Sequence, residues 1–183
     1  WIHGASVGEI LSMVPLIEKL ENNKKIKQIL VTSSTLSSSK ILSTFKLKKT
    51  VHQFFPIDTH YHTQKFLNYW KPSVVIFVDS EIWPNMFKNI KKGQIRLILV
   101  NARITQKSFK RWKLFPKNAK KIFQSFDICL SSSVRSSRYL KILGAKKIKF
   151  IGNLKFTETQ NSENTLNKVL ENFLLSKKTW CAS

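Results

Sequence analysis

This chain is poor in cysteine and contains no long apolar run. Its two cysteines, Cys129 and Cys181, lie far apart and fit neither a disulfide framework nor a metal-binding spacing. That pattern favours a reducing, cytosolic setting. No apolar run approaches the ~18 residues that cross a bilayer, and no signal peptide is visible. The four histidines make no metal pattern, and the sequence has no Walker or GxGxxG phosphate loop.

Acidic residues and arginine are also scarce. The chain has 10 acidic residues against 32 basic ones, a formal net charge of +22 over 183 residues. Such an excess favours polyanionic partners such as nucleic acid, phosphorylated lipid or an anionic membrane face. Of the basic residues 27 are Lys and only 5 are Arg, whereas base-reading proteins rely on Arg. Two interpretations stay open, an anion-binding surface and lysines that only solvate the protein.

Short apolar runs alternate with amphipathic segments along the chain. Strands are predicted over residues 1–3, 29–32, 51–55, 74–78, 95–100, 128–130 and 148–151. Helices are predicted over 10–20, 37–45, 60–70, 83–90, 117–126, 134–143 and 164–175. The runs VVIFV and IRLILV are apolar on both faces, as in strands that helices cover on two sides. We therefore predict an α/β, Rossmann-like, doubly wound parallel sheet, whose ligands gather beyond the carboxyl ends of the strands.

The first of these strand ends reads WIHGASVGEI and delivers a single acid, Glu9, to the start of a helix. The helix dipole favours a carboxylate there, and we expect it to hold the pKa of Glu9 low. One interpretation is an acid that only stabilises the helix. The other is a general base, with glycines that let a substrate approach closely.

Later strand ends carry further polar residues. Two of the ten acids follow one buried strand, in VDSEIWPN. We expect Asp79 to cap the next helix and Glu81 to face a cleft. Asn101 and Arg103 follow the next strand, where they either bind an anionic group or cap and pair locally. Lys155 stands in GNLKF, after the last predicted strand.

Taken in order, these loops resemble the Kdo transferase family, which moves 3-deoxy-D-manno-oct-2-ulosonic acid (Kdo) from CMP-Kdo onto the lipid A precursor. The resemblance rests on HGASVGE, VTSSTLSS, the P-x-D of residues 56–58, KP followed by VDSEIWPN, NAR, GNLKF and a closing W-x-A-S. It covers almost the whole chain. An ordered set of about seven motifs is far more specific than any one of them.

The resemblance implies a GT-B glycosyltransferase, with two Rossmann-like domains and an active site in the cleft between them. Residues 1–157 would be the N-terminal, acceptor-side domain, 158–179 a linker and helix, and 180–183 the start of a truncated donor-binding domain. In that family the acid matching Glu9 is the catalytic base. The residues matching Glu81 and Lys155 stabilise the transition state. We also expect substrate contacts from five residues, Ser6, Gly8, Asn101, Arg103 and Asn153.

The family also implies the partners. The donor would be CMP-Kdo, bound mostly by the C-terminal domain, and the acceptor the lipid A precursor (lipid IVA) in lipopolysaccharide inner-core synthesis. Transfer would be inverting and would use no metal and no cofactor, and the fragment alone would be inactive. The enzyme would lie on an anionic membrane surface, at the cytoplasmic face of the bacterial inner membrane, held by an anchor outside this chain.

Two other functional classes stay open at this point. One is another GT-B enzyme, either a different sugar transferase or a nucleotide-sugar epimerase, because donor recognition lies in the other domain. The other is a basic nucleic-acid-binding domain, against which the sparse arginine argues. We expect no nucleic-acid partner.

Overall fold

The structure, a computed structural model, describes residues 1–154. Strands and helices alternate through this part of the chain. The strands are β1 (Ile2–His3), β2 (Ile29–Ser33), β3 (Thr50–Phe54), β4 (Val74–Val78), β5 (Arg96–Ala102), β6 (Ile128–Ser131) and β7 (Ile148–Phe150). The helices are α1 (Val7–Glu21), α2 (Leu36–Leu42), α3 (His60–Trp70), α4 (Pro84–Lys92), α5 (Gln106–Lys113), α6 (Pro116–Phe123) and α7 (Val134–Leu143).

These strands form one parallel sheet in the order β3-β2-β1-β4-β5-β6-β7. The short strand β1 pairs on both sides, since Ile2 lies opposite Val31 of β2 and Ile76 of β4. Strands β1 to β3 extend the sheet in one direction. Strand β4 then pairs with the other side of β1, and β5 to β7 extend the sheet in the opposite direction. The predicted doubly wound parallel sheet is confirmed. Its strand order reverses between β1 and β4, the place where such sheets bind ligands.

Helices cover both faces of the sheet, and the central strands are buried on both. In β4, Val75 and Phe77 pack into a core with residues of α3, α4, α6 and α7. Val78 packs into a second core with residues of α1 and α2, such as Ile10 and Leu42. Successive side chains of a strand point to opposite faces, so an apolar run such as VVIFV serves two cores at once.

Helix α5 was missed by the sequence analysis. It contains no buried residue, and four of its eight residues are basic (QKSFKRWK). Its apolar signal consists of Phe109 and Trp112 alone, three positions apart. These two rings attach the helix to its neighbours, because Phe109 stacks on Tyr139 at 4.1 Å and Trp112 packs edge-on against Phe123 at 5.6 Å.

Other predicted elements are found, with ends that shift by a few residues. Helix α1 begins three residues before its predicted start, because the side chain of Ser6 caps it. The predicted helix over 164–175 and the predicted domain boundaries lie outside the described residues. Within residues 1–154, no helix is both long and apolar enough to cross a membrane.

Candidate functional site

The candidate site lies at the carboxyl edge of the sheet, where β1 and β4 end side by side. The loop after β1 leads into α1 and carries Glu9, and the loop after β4 carries Asp79 and Glu81. Parallel neighbours end at the same edge, so three of the chain's ten acids converge on the point where the strand order reverses.

Glu9 is fixed by the start of helix α1. Its Oε2 accepts the N–H of Ala5 at 2.8 Å, and its Oε1 accepts the hydroxyl of Ser6 at 3.0 Å. The Ser6 Oγ in turn accepts the N–H of Glu9 at 3.4 Å, an arrangement close to a capping box. A Cβ on Gly4 would lie 3.2 Å from both the Glu9 Cβ and the Ile10 Cδ1, so the close approach of strand end and helix start favours glycine.

The pKa of Glu9 is raised above its ordinary value. Burial is the main cause, and the negative charges of Glu81 and Asp79 act in the same direction. Hydrogen bonds from Ala5 and Ser6 oppose the shift without cancelling it. The prediction of a low pKa was therefore wrong, because it counted the helix dipole and left out burial and like charges. A carboxylate with a raised pKa is a better proton acceptor, as a general base requires.

Glu81 is held by an indole and faces a buried histidine. Its Oε2 accepts the Trp83 Nε1–H at 2.8 Å and lies 3.6 Å from Nε2 of His3, too long for a good hydrogen bond but close enough for attraction. His3 Nδ1 lies 2.9 Å from Thr32 Oγ1, which also accepts the Trp1 Nε1–H at 2.8 Å. The Thr32 hydroxyl can then donate to Nδ1, which leaves the proton of His3 on Nε2, facing Glu81.

Aromatic rings surround His3, and its burial among them favours the neutral form. Its ring centroid lies 4.1 Å from that of Phe55 and 5.0 Å from that of Phe77, and Trp83 packs on Phe55 at 4.8 Å. Burial lowers the pKa of His3, while the nearby Glu81 opposes that shift. Sequence reasoning weighed His3 only as a metal ligand. The sequence did offer a signal that His3 lies at the site, because His3 is the last residue of a strand that runs into a glycine turn.

Asp79 does not cap the helix that follows it, so that prediction was wrong. The first-turn N–H groups of α4 are taken elsewhere, since Asp58 accepts those of Asn85 and Met86 at 3.2 and 2.8 Å. Asp79 is buried and has a left-handed backbone, with φ of 61°. Its N–H donates to the carbonyl of Val100 at 3.0 Å. This conformation turns the chain sharply after β4, and the capping carboxylate comes from the loop after β3 instead.

Comparison with known proteins assigns the chain that carries this site to a family. The sequence model described as 3-deoxy-D-manno-octulosonic-acid transferase (kdotransferase) matches residues 1–158. The chain belongs to the Kdo transferase family. The resemblance given by the strand-end loops is thereby confirmed.

Curated relatives of the Kdo transferase family agree with that assignment. The chain is 40% identical over 156 residues to a 3-deoxy-D-manno-octulosonic acid transferase of Rickettsia bellii, covering 85% of this chain and 37% of the relative. It is 25% identical over 166 residues to the corresponding transferase of Haemophilus influenzae, covering 89% of this chain and 39% of the relative. The chain thus spans well under half the length of these relatives.

A solved structure of a UDP-GlcNAc 2-epimerase from Neisseria meningitidis, bound to UDP-GlcNAc, superimposes with a TM-score of 0.61. The match covers 97% of this chain and 54% of that one, at 14% sequence identity. At this identity the likeness concerns the fold alone, and it agrees with the Rossmann-like α/β fold.

Three other predicted site residues, Asn101, Arg103 and Asn153, lie at or after the ends of strands β5 and β7, at the same edge of the sheet. Asn101 is buried, and its Oδ1 accepts the N–H of Leu154 at 3.2 Å. Asn101 therefore pairs locally, and its contact with substrate stays a prediction. That bond holds the segment after β7, which contains the half-buried Asn153 and leads to Lys155. Arg103 is exposed beyond the end of β5. Lys155 lies outside the described residues, and its role stays a prediction.

Ser6 and Gly8, for which substrate contacts were predicted, are exposed beside Glu9. Within residues 1–154, no three His, Cys, Asp or Glu side chains are grouped so as to hold a metal ion. A cavity of about 720 Å³ opens at the opposite edge of the sheet, between the ends of α3 and α4. Its lining includes Lys71, Lys92 and Asn68 but none of the residues discussed above, so it is separate from the candidate site.

Proposed function

We propose that the protein containing this chain transfers Kdo from CMP-Kdo to the lipid A precursor lipid IVA, in lipopolysaccharide inner-core synthesis. The proposal rests on one observation. In a chain of the Kdo transferase family, Glu9 and Glu81 lie in neighbouring loops at the point where the strand order reverses. Residues 1–157 form the acceptor side of a GT-B enzyme.

Glu9 is the general base of this reaction. The acceptor hydroxyl oxygen attacks the anomeric carbon of Kdo on the face opposite CMP, and its proton passes to a Glu9 oxygen. The bond from the anomeric carbon to the phosphate oxygen of CMP breaks, so the configuration inverts. The raised pKa of Glu9 supports this role, because it increases the affinity of the carboxylate for that proton. No metal ion or cofactor takes part in the proposed step.

Glu81 provides negative charge as the sugar becomes cationic. Its oxygen is fixed by the Trp83 indole at 2.8 Å, so little reorganisation is needed during the reaction. Lys155 balances either the carboxylate of the donor sugar or the negative charge that develops on the departing phosphate. Five residues contact the substrate, namely Ser6, Gly8, Asn101, Arg103 and Asn153. Asn101 also holds the 152–154 segment in place. The enzyme works at the cytoplasmic face of the bacterial inner membrane.

The experiment is a transfer assay with the complete enzyme, CMP-Kdo and lipid IVA, read by mass spectrometry for each added Kdo. We expect product with or without a chelator, and none when CMP-Kdo is replaced by a UDP-sugar. The 183-residue chain alone should give no product and bind CMP weakly or not at all in calorimetry. Epimerisation of UDP-N-acetylglucosamine with no Kdo transfer would refute the proposal, and loss of activity with the chelator would refute its metal-independent form.

A further inference from the structure

Helices α5 and α6 and the turn between them, residues 106–123, form a basic surface that we call the α5–α6 surface. Seven of its 18 residues are basic and none is acidic. All seven side chains are exposed: Lys107, Lys110, Arg111, Lys113, Lys117, Lys120 and Lys121. Such a concentration distinguishes this segment from lysines scattered evenly over a protein.

Two apolar side chains stand in the middle of this basic surface. Leu114 and Phe115, in the turn between the helices, are 73% and 62% exposed. A surface that serves only to solvate the protein needs no such pair, since exposed apolar area costs hydration free energy. An apolar tip inside a ring of lysines is typical of segments that lie in a membrane interface.

The packing of the two helices leaves this tip outside. The ring of Phe109 packs on Tyr139, and the ring of Trp112 packs on Phe123. Phe123, the last residue of α6, is fully buried. Lys113 lies over the Phe109 ring at 5.7 Å, so its charge stays at the surface. The inner faces of both helices are thus already occupied, and the basic residues and the apolar tip face outward.

One end of the surface, the start of α5, adjoins the edge of the sheet that carries the candidate site. Thr105 caps the start of α5, three residues after β5 ends at Ala102. We propose that the α5–α6 surface docks the protein on an anionic lipid bilayer, with Leu114 and Phe115 inserted into the interface. Charge and exposure by themselves favour an anionic bilayer, whereas the reason for docking beside the site, a lipid acceptor, rests on the proposed function.

Other occupants fit this surface less well. A second copy of the chain would bring seven more basic residues against it and would be repelled. Single-stranded nucleic acid is held by arginines and stacking rings, and this surface offers one arginine, Arg111, and one strongly exposed ring, Phe115. A bilayer with anionic headgroups uses both the lysine charges and the apolar pair.

The test is co-sedimentation of the chain with vesicles across a salt series. Mixed phosphatidylethanolamine and phosphatidylglycerol vesicles should bind it, and phosphatidylcholine vesicles should not. A triple variant, Lys110→Gln, Lys113→Gln and Lys117→Gln, should lose up to about a hundredfold in partitioning, since each lysine near such a leaflet contributes about fivefold. This loss should shrink between ~0.1 M and ~1 M salt. A double variant, Leu114→Ser with Phe115→Ser, should lose about tenfold or more at every salt concentration.

Matched controls lie at the opposite edge of the sheet. Lys24→Gln, Lys25→Gln and Lys27→Gln together remove the same charge before β2, and Tyr69→Ser removes a side chain that is 78% exposed near the end of α3. Both controls should bind as the parent does. Circular dichroism should show that all these surface variants fold.

Equal losses in test and control variants would overturn the proposal, because binding would then depend on total charge alone. Binding to oligouridylate without binding to vesicles would overturn it in favour of nucleic acid. The proposed function is measured separately, as Kdo transfer by the complete enzyme onto detergent-dispersed lipid IVA. Vesicle binding without transfer would refute that function alone, and transfer without vesicle binding would refute the docking surface alone.

Discussion

Replacement of Glu9 by glutamine tests the proposed chemical step, because it removes the carboxylate that we propose as proton acceptor and preserves the local structure. The amide oxygen can accept the Ala5 N–H that Oε2 accepts at 2.8 Å. The amide nitrogen can donate to the Ser6 Oγ, 3.0 Å from the present Oε1. The cap of α1 therefore survives, and we expect the free energy of unfolding to change by no more than about 0.5 kcal/mol at mildly acidic pH.

The pH dependence of stability should change with this substitution. The folded pKa of Glu9 is raised, so the folded state holds its proton more tightly than the unfolded chain does. The contribution of Glu9 is then most favourable below its unfolded pKa and declines as pH rises through the folded pKa. Glutamine has no such dependence. Near neutral pH, Glu9→Gln should therefore be at least as stable as the parent by urea denaturation.

The effect on turnover should be large. A general base typically contributes ~10²–10⁴ in rate, or ~3–5 kcal/mol of barrier. We expect kcat for Kdo transfer by the complete enzyme to fall by that factor and KM for lipid IVA to change little. Glu18→Gln is the matched control, because Glu18 is exposed on the same helix and carries the same charge. Turnover within tenfold of the parent in Glu9→Gln would reduce Glu9 to a helix-capping acid.

Two further predictions concern the other acids near the site. Glu81→Gln removes a negative charge that raises the pKa of Glu9, so the acidic limb of kcat/KM should move to lower pH, and Glu18→Gln should leave it in place. If the acidic limb of kcat/KM stays at the same pH in Glu81→Gln, Glu9 is not the group whose titration produces that limb. Asp58→Ala removes the acceptor of two N–H groups of α4 and should destabilise the chain by about 1–2 kcal/mol in urea denaturation, with Asp58→Asn losing less. Equal stability of Asp58→Ala and the parent would contradict that capping role.

The sheet and the place of the site were predictable because both follow from patterns with a physical period. The run VVIFV could be recognised as a central strand because both of its faces lie in a core. Once the strands are parallel, their ends must share an edge, which brings Glu9 and Glu81 together although they are far apart in sequence. The reversal of strand order between β1 and β4 then selects those two loops among the strand ends.

What the sequence could not provide is the environment of each side chain. The pKa of Glu9 depends on burial and on acids from another loop, which no local motif encodes. The contact between His3 and Glu81 joins two strand ends through side chains alone. Helix α5 was missed because its attachment depends on the rings of Tyr139 and Phe123, which lie in later helices. Each of these facts depends on tertiary contacts.

The scarcity of acids makes the position of each one informative. Seven of the ten acids fall within residues 1–154. Three converge on the candidate site, and three others accept backbone N–H groups from distant segments, namely Glu21, Asp58 and Asp127. Glu18, on the surface of α1, is the remaining one.

Six of these seven acids therefore either lie at the candidate site or accept backbone N–H groups, and few remain to offset the surface lysines. Between residues 82 and 157, Asp127 is the only acid, and its carboxylate is already used, because it accepts the N–H of Leu97 at 2.8 Å. The positive field over α5 and α6 is left uncompensated as a result. This field attracts polyanions to α5, whose first residues lie near the carboxyl edge of the sheet that also holds Glu9 and Glu81. The scarcity of acids thus links the electrostatics of the surface to the chemistry of the site.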